Sequence, residues 1–257
     1  MTFDLTGRVA LDTGAESGIG KASAAALAQA GADVAILYHS KEDRGLDTVA
    51  DVEAHGRRAQ LVQADVGVEA DVERAFDAVA AELGVPDILV NSAGLNMTGV
   101  RVVDMDLDQW ERVLRTDLTG SFLTSRRFAR DRREGPAAIV NITSIHEWAV
   151  REGGADYVAA KAGQGAFTRN LALELAGRGV TVNGIAPGMV LTPMNQEAVE
   201  DEAKRREQES HIPMKRAARP EEIAGVAVFL ASPAAAYITG ATITVDGGLS
   251  LIVAPGA

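Results

Sequence analysis

The chain has 257 residues, 47% of them hydrophobic, and no cysteine, so it can bury a substantial core as one large α/β domain, while disulfides, thiolate nucleophiles and cysteine-based metal sites are excluded. Its formal net charge of −11 argues against general affinity for nucleic acid or anionic membrane, which are held chiefly by lysine and arginine. No apolar run is long enough to span a bilayer, and residues 1–8 lack the basic and apolar regions of a signal peptide, so a cytoplasmic location is expected.

The first predicted strand, 8–11, passes through Thr13-Gly14-Ala15-Glu16-Ser17-Gly18-Ile19-Gly20 into a helix over 19–30. In such a turn Gly14 permits the tight bend and Gly18 the close approach of a pyrophosphate. Gly20 permits close packing of helix on sheet, and the helix N-terminus offers free N–H groups to the anion. Asp12, near the end of this strand, is costly to bury without a hydrogen-bonding partner or water, and one is expected. The second strand, 33–37, ends in Leu37-Tyr38-His39-Ser40-Lys41. A carboxylate there would bond a ribose 2′-hydroxyl and repel a 2′-phosphate. With none at Tyr38, and with His39, Ser40 and Lys41 as phosphate donors, the balance favours NADP(H); Glu16 pulls the other way, toward NAD(H).

A helix over 43–55, a strand over 60–63 followed by Asp65-Val66, and a helix over 69–83 come next. The strand at 88–90 runs into Asn91-Ser92-Ala93-Gly94, and a helix is read over 117–133. That helix ends in a basic cluster, Arg126, Arg127, Arg130, Arg132 and Arg133, which reads as cations near a helix C-terminus or pairing across a subunit interface. A docking patch for an acidic partner is the sharper alternative. The strand at 138–142 leads to Ser144 and a helix over 156–176 that carries Tyr157 and Lys161. Four residues apart, the phenol and the ammonium project from one helix face. A nearby ammonium favours ionisation of a tyrosine hydroxyl, which otherwise titrates near pH 10, and so makes a usable proton donor and acceptor. A strand at 180–184, a charged helical excursion over 192–215, a helix over 220–231 and a strand over 242–245 complete the chain. The excursion follows the carboxyl end of a strand, where α/β folds bind ligands, and reads as a surface face or a substrate lid. Alternating strands and helices predict a single domain over 1–257, with a seven-stranded, mostly parallel doubly wound sheet of Rossmann type covered by helices on both faces.

Thr13–Gly20, Asp65-Val66, Asn91-Ser92-Ala93-Gly94, Ser144 placed 13 residues before Tyr157, Lys161, and Pro187-Gly188 leading to Thr192 together resemble the short-chain dehydrogenase/reductase family over nearly the full length. The resemblance implies direct hydride transfer between a carbinol carbon and a nicotinamide, with Tyr157 exchanging the proton. Ser144 would bond the same oxygen, and Lys161 would hold the ribose hydroxyls. It further implies that Gly14, Ser17, Gly18, Ile19 and Gly20 cradle the dinucleotide, with His39 and Ser40 at its ribose. Asp65 and Val66 would flank the adenine, Asn91, Ala93 and Gly94 would line the adenosine side, and Pro187, Gly188, Val190 and Thr192 would meet the nicotinamide. Asp117 departs from the pattern, since the family usually carries asparagine there, its carbonyl holding a water of the proton relay to the lysine. An aspartate adds negative charge beside Lys161.

The strings Tyr38-His39-Ser40-Lys41-Glu42-Asp43, Ser144-Ile145-His146-Glu147, Thr192-Pro193-Met194-Asn195 and Ile212-Pro213-Met214 are most similar to bacterial glucose 1-dehydrogenases. A small sugar, polyol or ketone substrate is implied, with His146, Glu147, Trp148 and Asn96 as its contacts and no metal. A 3-oxoacyl-[acyl carrier protein] reductase and a catalytically idle NAD(P)-binding protein are the alternatives. The family further implies a homotetramer or homodimer built on helices 117–133 and 156–176 and on the apolar tail. The small residues Ala159, Ala160, Ala162, Gly163, Gly165 and Ala166 suit close helix contact.

Overall fold

The computed structural model describes residues 3–97, 99–132 and 135–251. Seven strands join one all-parallel sheet in the order β3-β2-β1-β4-β5-β6-β7: β1 (Val9–Thr13), β2 (Asp33–Tyr38), β3 (Ala59–Gln63), β4 (Ile88–Asn91), β5 (Ala137–Ile142), β6 (Val180–Pro187) and β7 (Thr242–Val245). The strands are near-continuous apolar runs because helices cover both sheet faces. Side-chain alternation sorts them into two layers. Ala10, Val34, Ile36, Ile88, Val90 and Val140 meet α1 (Gly18–Gln29), α2 (Glu42–Glu53) and α9 (Pro220–Ala231). Val9, Leu11, Leu37, Leu89 and Ile139 meet α3 (Glu69–Glu82), α5 (Gly120–Asp131) and α6 (Ala155–Leu175). The strand order reverses between β1 and β4, which opens a crevice at their carboxyl ends.

The helix expected over 117–133 is α5, preceded by a helix the sequence reading did not separate, α4 (Leu107–Leu114). A π-turn over Arg115–Thr119 joins them, with the Gly120 N–H bonded to the Arg115 carbonyl. This wide turn carries Asp117, whose side chain is fully buried. The charged excursion contains two short helices, α7 (Gln196–Glu200) and α8 (Glu202–Ser210), the second capped by the Asp201 carboxylate, which accepts from the Ala203 and Lys204 amides. Its ends are tied together where Leu191 N donates to Ala218 O (3.0 Å) and Ala218 N to Met189 O (2.9 Å).

Three sequence expectations are refined. Three arginines of the cluster are paired within the chain, Arg126 with Glu69, Arg127 with Glu73, Asp77 and Asp131, and Arg132 with Asp87, while Arg130 is exposed in the last turn of α5. Glu69, Glu73 and Asp77 recur every fourth residue of α3 and form one acidic stripe facing α5, so the cations serve helix packing, and of the cluster Arg133 lies outside the described residues. Three of the six small residues of α6 are used internally, while Ala159 and Ala162 are half-buried and Ala166 is exposed. Ala160 packs with Val113 and Tyr157, a Cβ on Gly163 would lie 2.9 Å from Leu118, and one on Gly165 would lie 2.0 Å from the Glu147 carboxylate. Finally, Asp12 is fully buried against the α1 layer, and neither of its oxygens has a hydrogen-bond partner among the described residues. Burial, reinforced by Glu16, holds its carboxyl well above the usual range. No helix among the described residues is long and apolar enough to cross a membrane.

Candidate active site

The crevice is a cavity of about 1060 Å³ running along the carboxyl ends of the strands, large enough for a dinucleotide and a small substrate together. The glycine turn forms its floor. Gly14 adopts φ +66° and lies so close to the next loop that a Cβ there would sit 2.8 Å from Ala93 Cα; only glycine serves at such a position. The Thr13 hydroxyl oxygen accepts from the Ser92 and Ala93 amides, both at 3.1 Å, and so pins the loop after β4 against this turn. A Cβ on Gly20 would lie 2.5 Å from the Gly14 carbonyl oxygen, so that glycine serves the fit of helix to turn and does not line the cavity. Ser17 offers no side-chain cap to α1. The helix amides at this end therefore have no side-chain partner from it, which suits an anion.

At the other end, Ser144, Tyr157 and Lys161 all line the cavity and are largely buried. The Ser144 Oγ accepts from the His146 amide (3.1 Å), an arrangement that leaves its O–H free to donate. The Lys161 ammonium lies 5.6 Å from the Tyr157 ring centre. It donates to Ile142 O (3.0 Å) and Gln164 Oε1 (3.2 Å), and stands 3.2 Å from Asp117 Oδ2. Asp117 is held by its other oxygen, which accepts from Leu95 N at 2.7 Å. Burial alone would disfavour the Lys161 cation, but Asp117 and Tyr157 outweigh it and hold the lysine above its ordinary pKa. Burial raises the Asp117 carboxyl, against the pull of Lys161 and of the Leu95 amide. The Asp117 side chain thus forms a buried ion pair, where an asparagine would leave the ammonium unneutralised.

Of the other expected contacts, Ser17, Gly18, Ile19, His39, Ser40, Asp65, Val66, Ala93, Gly94, Pro187, Gly188, Val190, Thr192, Asn96 and His146 line the cavity. Three do not. Asn91 is buried between strands and α5, donating to Ser125 Oγ (3.0 Å) and Asn141 Oδ1 (2.8 Å) and accepting from Thr124 (2.6 Å). It braces the scaffold instead of facing adenosine. Glu147 turns into the hollow over Gly165, 3.8 Å from Arg169; burial raises its carboxyl against the pull of Thr143, Arg169 and Lys161. Trp148 is 48% exposed and lies off the cavity. The sequence reading missed Arg44, Arg112, Arg115, Arg151, Gln208 and His211, which also line it. Arg44 was legible in part, being one turn into the helix that follows Lys41, but nothing in the sequence spacing marks the others.

A nucleotide crevice that ends beside a phenol, a hydroxyl and an ammonium has the parts for moving a hydride and a proton together, which places the chain among the nicotinamide-dependent oxidoreductases of alcohols and carbonyls. Comparison with known proteins agrees. The family model described as enoyl-(acyl carrier protein) reductase matches residues 14–250. The chain is 41% identical over 254 residues to 3beta-hydroxysteroid dehydrogenase 1 of Eggerthella lenta (98% of this chain, 97% of that one). It is 35% identical over 253 residues to glucose 1-dehydrogenase 2 of Bacillus subtilis (98% of each). The crystal structure of a gluconate 5-dehydrogenase from Burkholderia cenocepacia J2315, in complex with NADP and tartrate, superposes with a TM-score of 0.90 at 34% identity, covering 98% of both chains. The chain belongs to the short-chain dehydrogenase/reductase family, and it is an NAD(P)-dependent oxidoreductase of carbonyl and alcohol groups. Its local likeness to glucose 1-dehydrogenases is matched by the Bacillus relative.

Proposed function

We propose that Ser144, Tyr157 and Lys161 carry the reaction, on a small hydroxylated carbonyl or secondary alcohol, with NADP(H) as the preferred coenzyme. The observation that supports this best is that these three side chains line the same cavity as the glycine turn. The residues present suit a nicotinamide dinucleotide: backbone amides with no side-chain cap stand at the turn, polar and cationic groups at both ends, and Gly18, at φ +55°, faces Thr192, whose Cγ2 would lie 3.2 Å from a Cβ there. His39, Ser40, Lys41 and Arg44 cluster at the end of β2, where they suit a 2′-phosphate. Glu16 reaches the same place, 3.5 Å from the His39 amide, and favours NAD(H) as an alternative. When bound, the nicotinamide supplies or accepts the hydride.

During reduction Tyr157 gives its phenolic proton to the substrate oxygen, and during oxidation it takes one back. Ser144 donates its free O–H to the same oxygen and stabilises the charge that develops there. Lys161 supplies a fixed positive charge beside the phenol and restores its proton. Two of its three N–H groups have protein acceptors, which leaves the third to face either Asp117 or a ribose hydroxyl.

The chain functions as one catalytic domain in the cytoplasm, and its excursion at 192–215 works as a lid. Supporting this last reading, the excursion contributes Thr192, Gln208, His211 and Ile212 to the cavity, is tied at both ends, and buries no residue of α8. Self-association as a dimer or tetramer runs through α5 and α6, where Phe122 and Leu173 are exposed. The test is Tyr157→Phe assayed with NADPH and NADH against ketones, keto-sugars and, in reverse, glucose and polyols. Turnover should fall at least about a thousandfold while NADPH binding, followed by its fluorescence, is retained. Wild-type turnover by Tyr157→Phe refutes the assignment.

A further inference from the structure

We infer that the substrate end of the cavity is an anion-recognition site built on Arg151, so that the preferred substrates are hydroxylated carbonyl compounds or alcohols bearing a negatively charged group. This rests on the oxidoreductase reading above and deepens it.

Two loops meet beside Tyr157, one after β4 and one after Ser144, joined by a hydrogen bond from Gly99 N to Gly153 O (2.6 Å). From the second loop Arg151 reaches across to the first, its guanidinium donating to Asn96 Oδ1 at 3.2 Å, and both residues line the cavity. That bond uses the oxygen of Asn96, so the groups these two side chains have left are donors: the amide N–H of Asn96 and the rest of the guanidinium fork. Such a fork matches the two oxygens of a carboxylate or phosphate. His146 lines the same cavity, its ring 6.0 Å from that of the catalytic phenol. Burial, with Arg151 adding to it and the Ala149 carbonyl opposing it, holds His146 below its ordinary pKa. In the neutral form, Nδ1 contacts Ala149 O (2.5 Å) and must carry the proton, which leaves Nε2 as an acceptor. One cavity therefore brings together a proton-exchanging phenol, an acceptor suited to a substrate hydroxyl, and an anion-binding fork.

Charge distribution supports the same reading. The chain as a whole carries −11, yet the acidic residues lining the cavity are Glu16 and Asp65, in the glycine turn and after β3. No carboxylate among the described lining residues stands beside Arg151, Asn96 or His146. A cation without a lining counter-charge, held beside the reacting centre of an acidic protein, favours an anionic ligand.

The test compares a keto-sugar acid (5-keto-D-gluconate), a keto-sugar phosphate (D-fructose 6-phosphate) and a neutral keto-sugar (D-fructose) with the wild type, Arg151→Gln and Arg151→Lys, using NADPH. The wild type should prefer at least one anionic substrate over the neutral one by tenfold or more in kcat/KM, and the two anionic arms show which group is read. In Arg151→Gln that ratio should collapse toward unity through KM, and Arg151→Lys should retain part of it, since a lysine keeps the charge without the fork. Isothermal titration of the coenzyme-loaded protein with D-gluconate should show binding that Arg151→Gln weakens at least tenfold. Equal use of neutral and anionic carbonyls, or an anion preference that Arg151→Gln leaves intact, overturns the anion site while the oxidoreductase reading stands. No oxidation of NADPH or NADH by any carbonyl overturns both.

Discussion

Replacing Asp117 with asparagine tests whether its charge holds the buried Lys161 cation in place. The substitution preserves side-chain shape and an oxygen for the Leu95 amide, now 2.7 Å away, while deleting the carboxylate charge 3.2 Å from Lys161 Nζ. Burial disfavours the Lys161 cation, and Asp117 is the largest of the influences that oppose it. At 3.2 Å the direct attraction is about 5 kcal/mol at an effective dielectric constant of about 20. With the carboxylate gone, the cation is held less firmly. In Asp117→Asn the alkaline limb of kcat/KM for alcohol oxidation should therefore shift to lower pH by about one unit or more. The assay is initial-rate NADPH formation from about pH 6 to about pH 10, at saturating coenzyme. Melting temperature, measured in parallel, should fall, because a buried ammonium loses its partner. An alkaline limb that stays within about 0.3 pH units of the wild type, or that moves upward, refutes the argument that Asp117 holds the Lys161 cation.

Two further substitutions probe the scaffold. Asp12→Val should stabilise the protein by about 2 kcal/mol at pH 8, since it removes a buried carboxyl with no partner. A carboxyl whose folded pKa is raised binds its proton more tightly in the folded state, so wild-type stability falls as pH rises from about 4 through the folded value. The advantage of the variant should accordingly grow over that range in chemical denaturation, and an advantage independent of pH would refute the assignment. Gly165→Ala places a Cβ where the Glu147 carboxylate sits, 2.0 Å away, and should lower the melting temperature by about 4–8 °C. Adding Glu147→Ala should recover most of that loss, and strict additivity of the two would show that they do not share the hollow.

The fold was legible because a parallel sheet leaves a plain record: Val180, Val182 and Ile185 are buried on a strand just as their apolar run implies. Helix α4 was not, because Val113 is its one fully buried residue and the rest of its surface is polar. The glycine turn, Ser144, Tyr157 and Lys161 were readable as local spacing. Arg151 was not, since it reaches the cavity only through the meeting of two loops 55 residues apart. Glu147 misled for a related reason. Its neighbour His146 faces the cavity, while the missing side chain at Gly165, two turns along α6 from Tyr157, offers it a different place.

The π-turn at Arg115–Thr119 makes the length of this segment as consequential as its composition. Deleting one residue there would restore ordinary helical hydrogen bonding and, by local criteria, improve the helix. It would also turn everything downstream by about 100°. Thr124 and Ser125 would leave Asn91, Ser121 would leave Gln164, and Arg127 would swing away from the acids of α3. A natural variant shortened here would therefore be expected to have rebuilt its catalytic lysine environment, whereas one shortened in the exposed stretch before α4 need not have changed it at all.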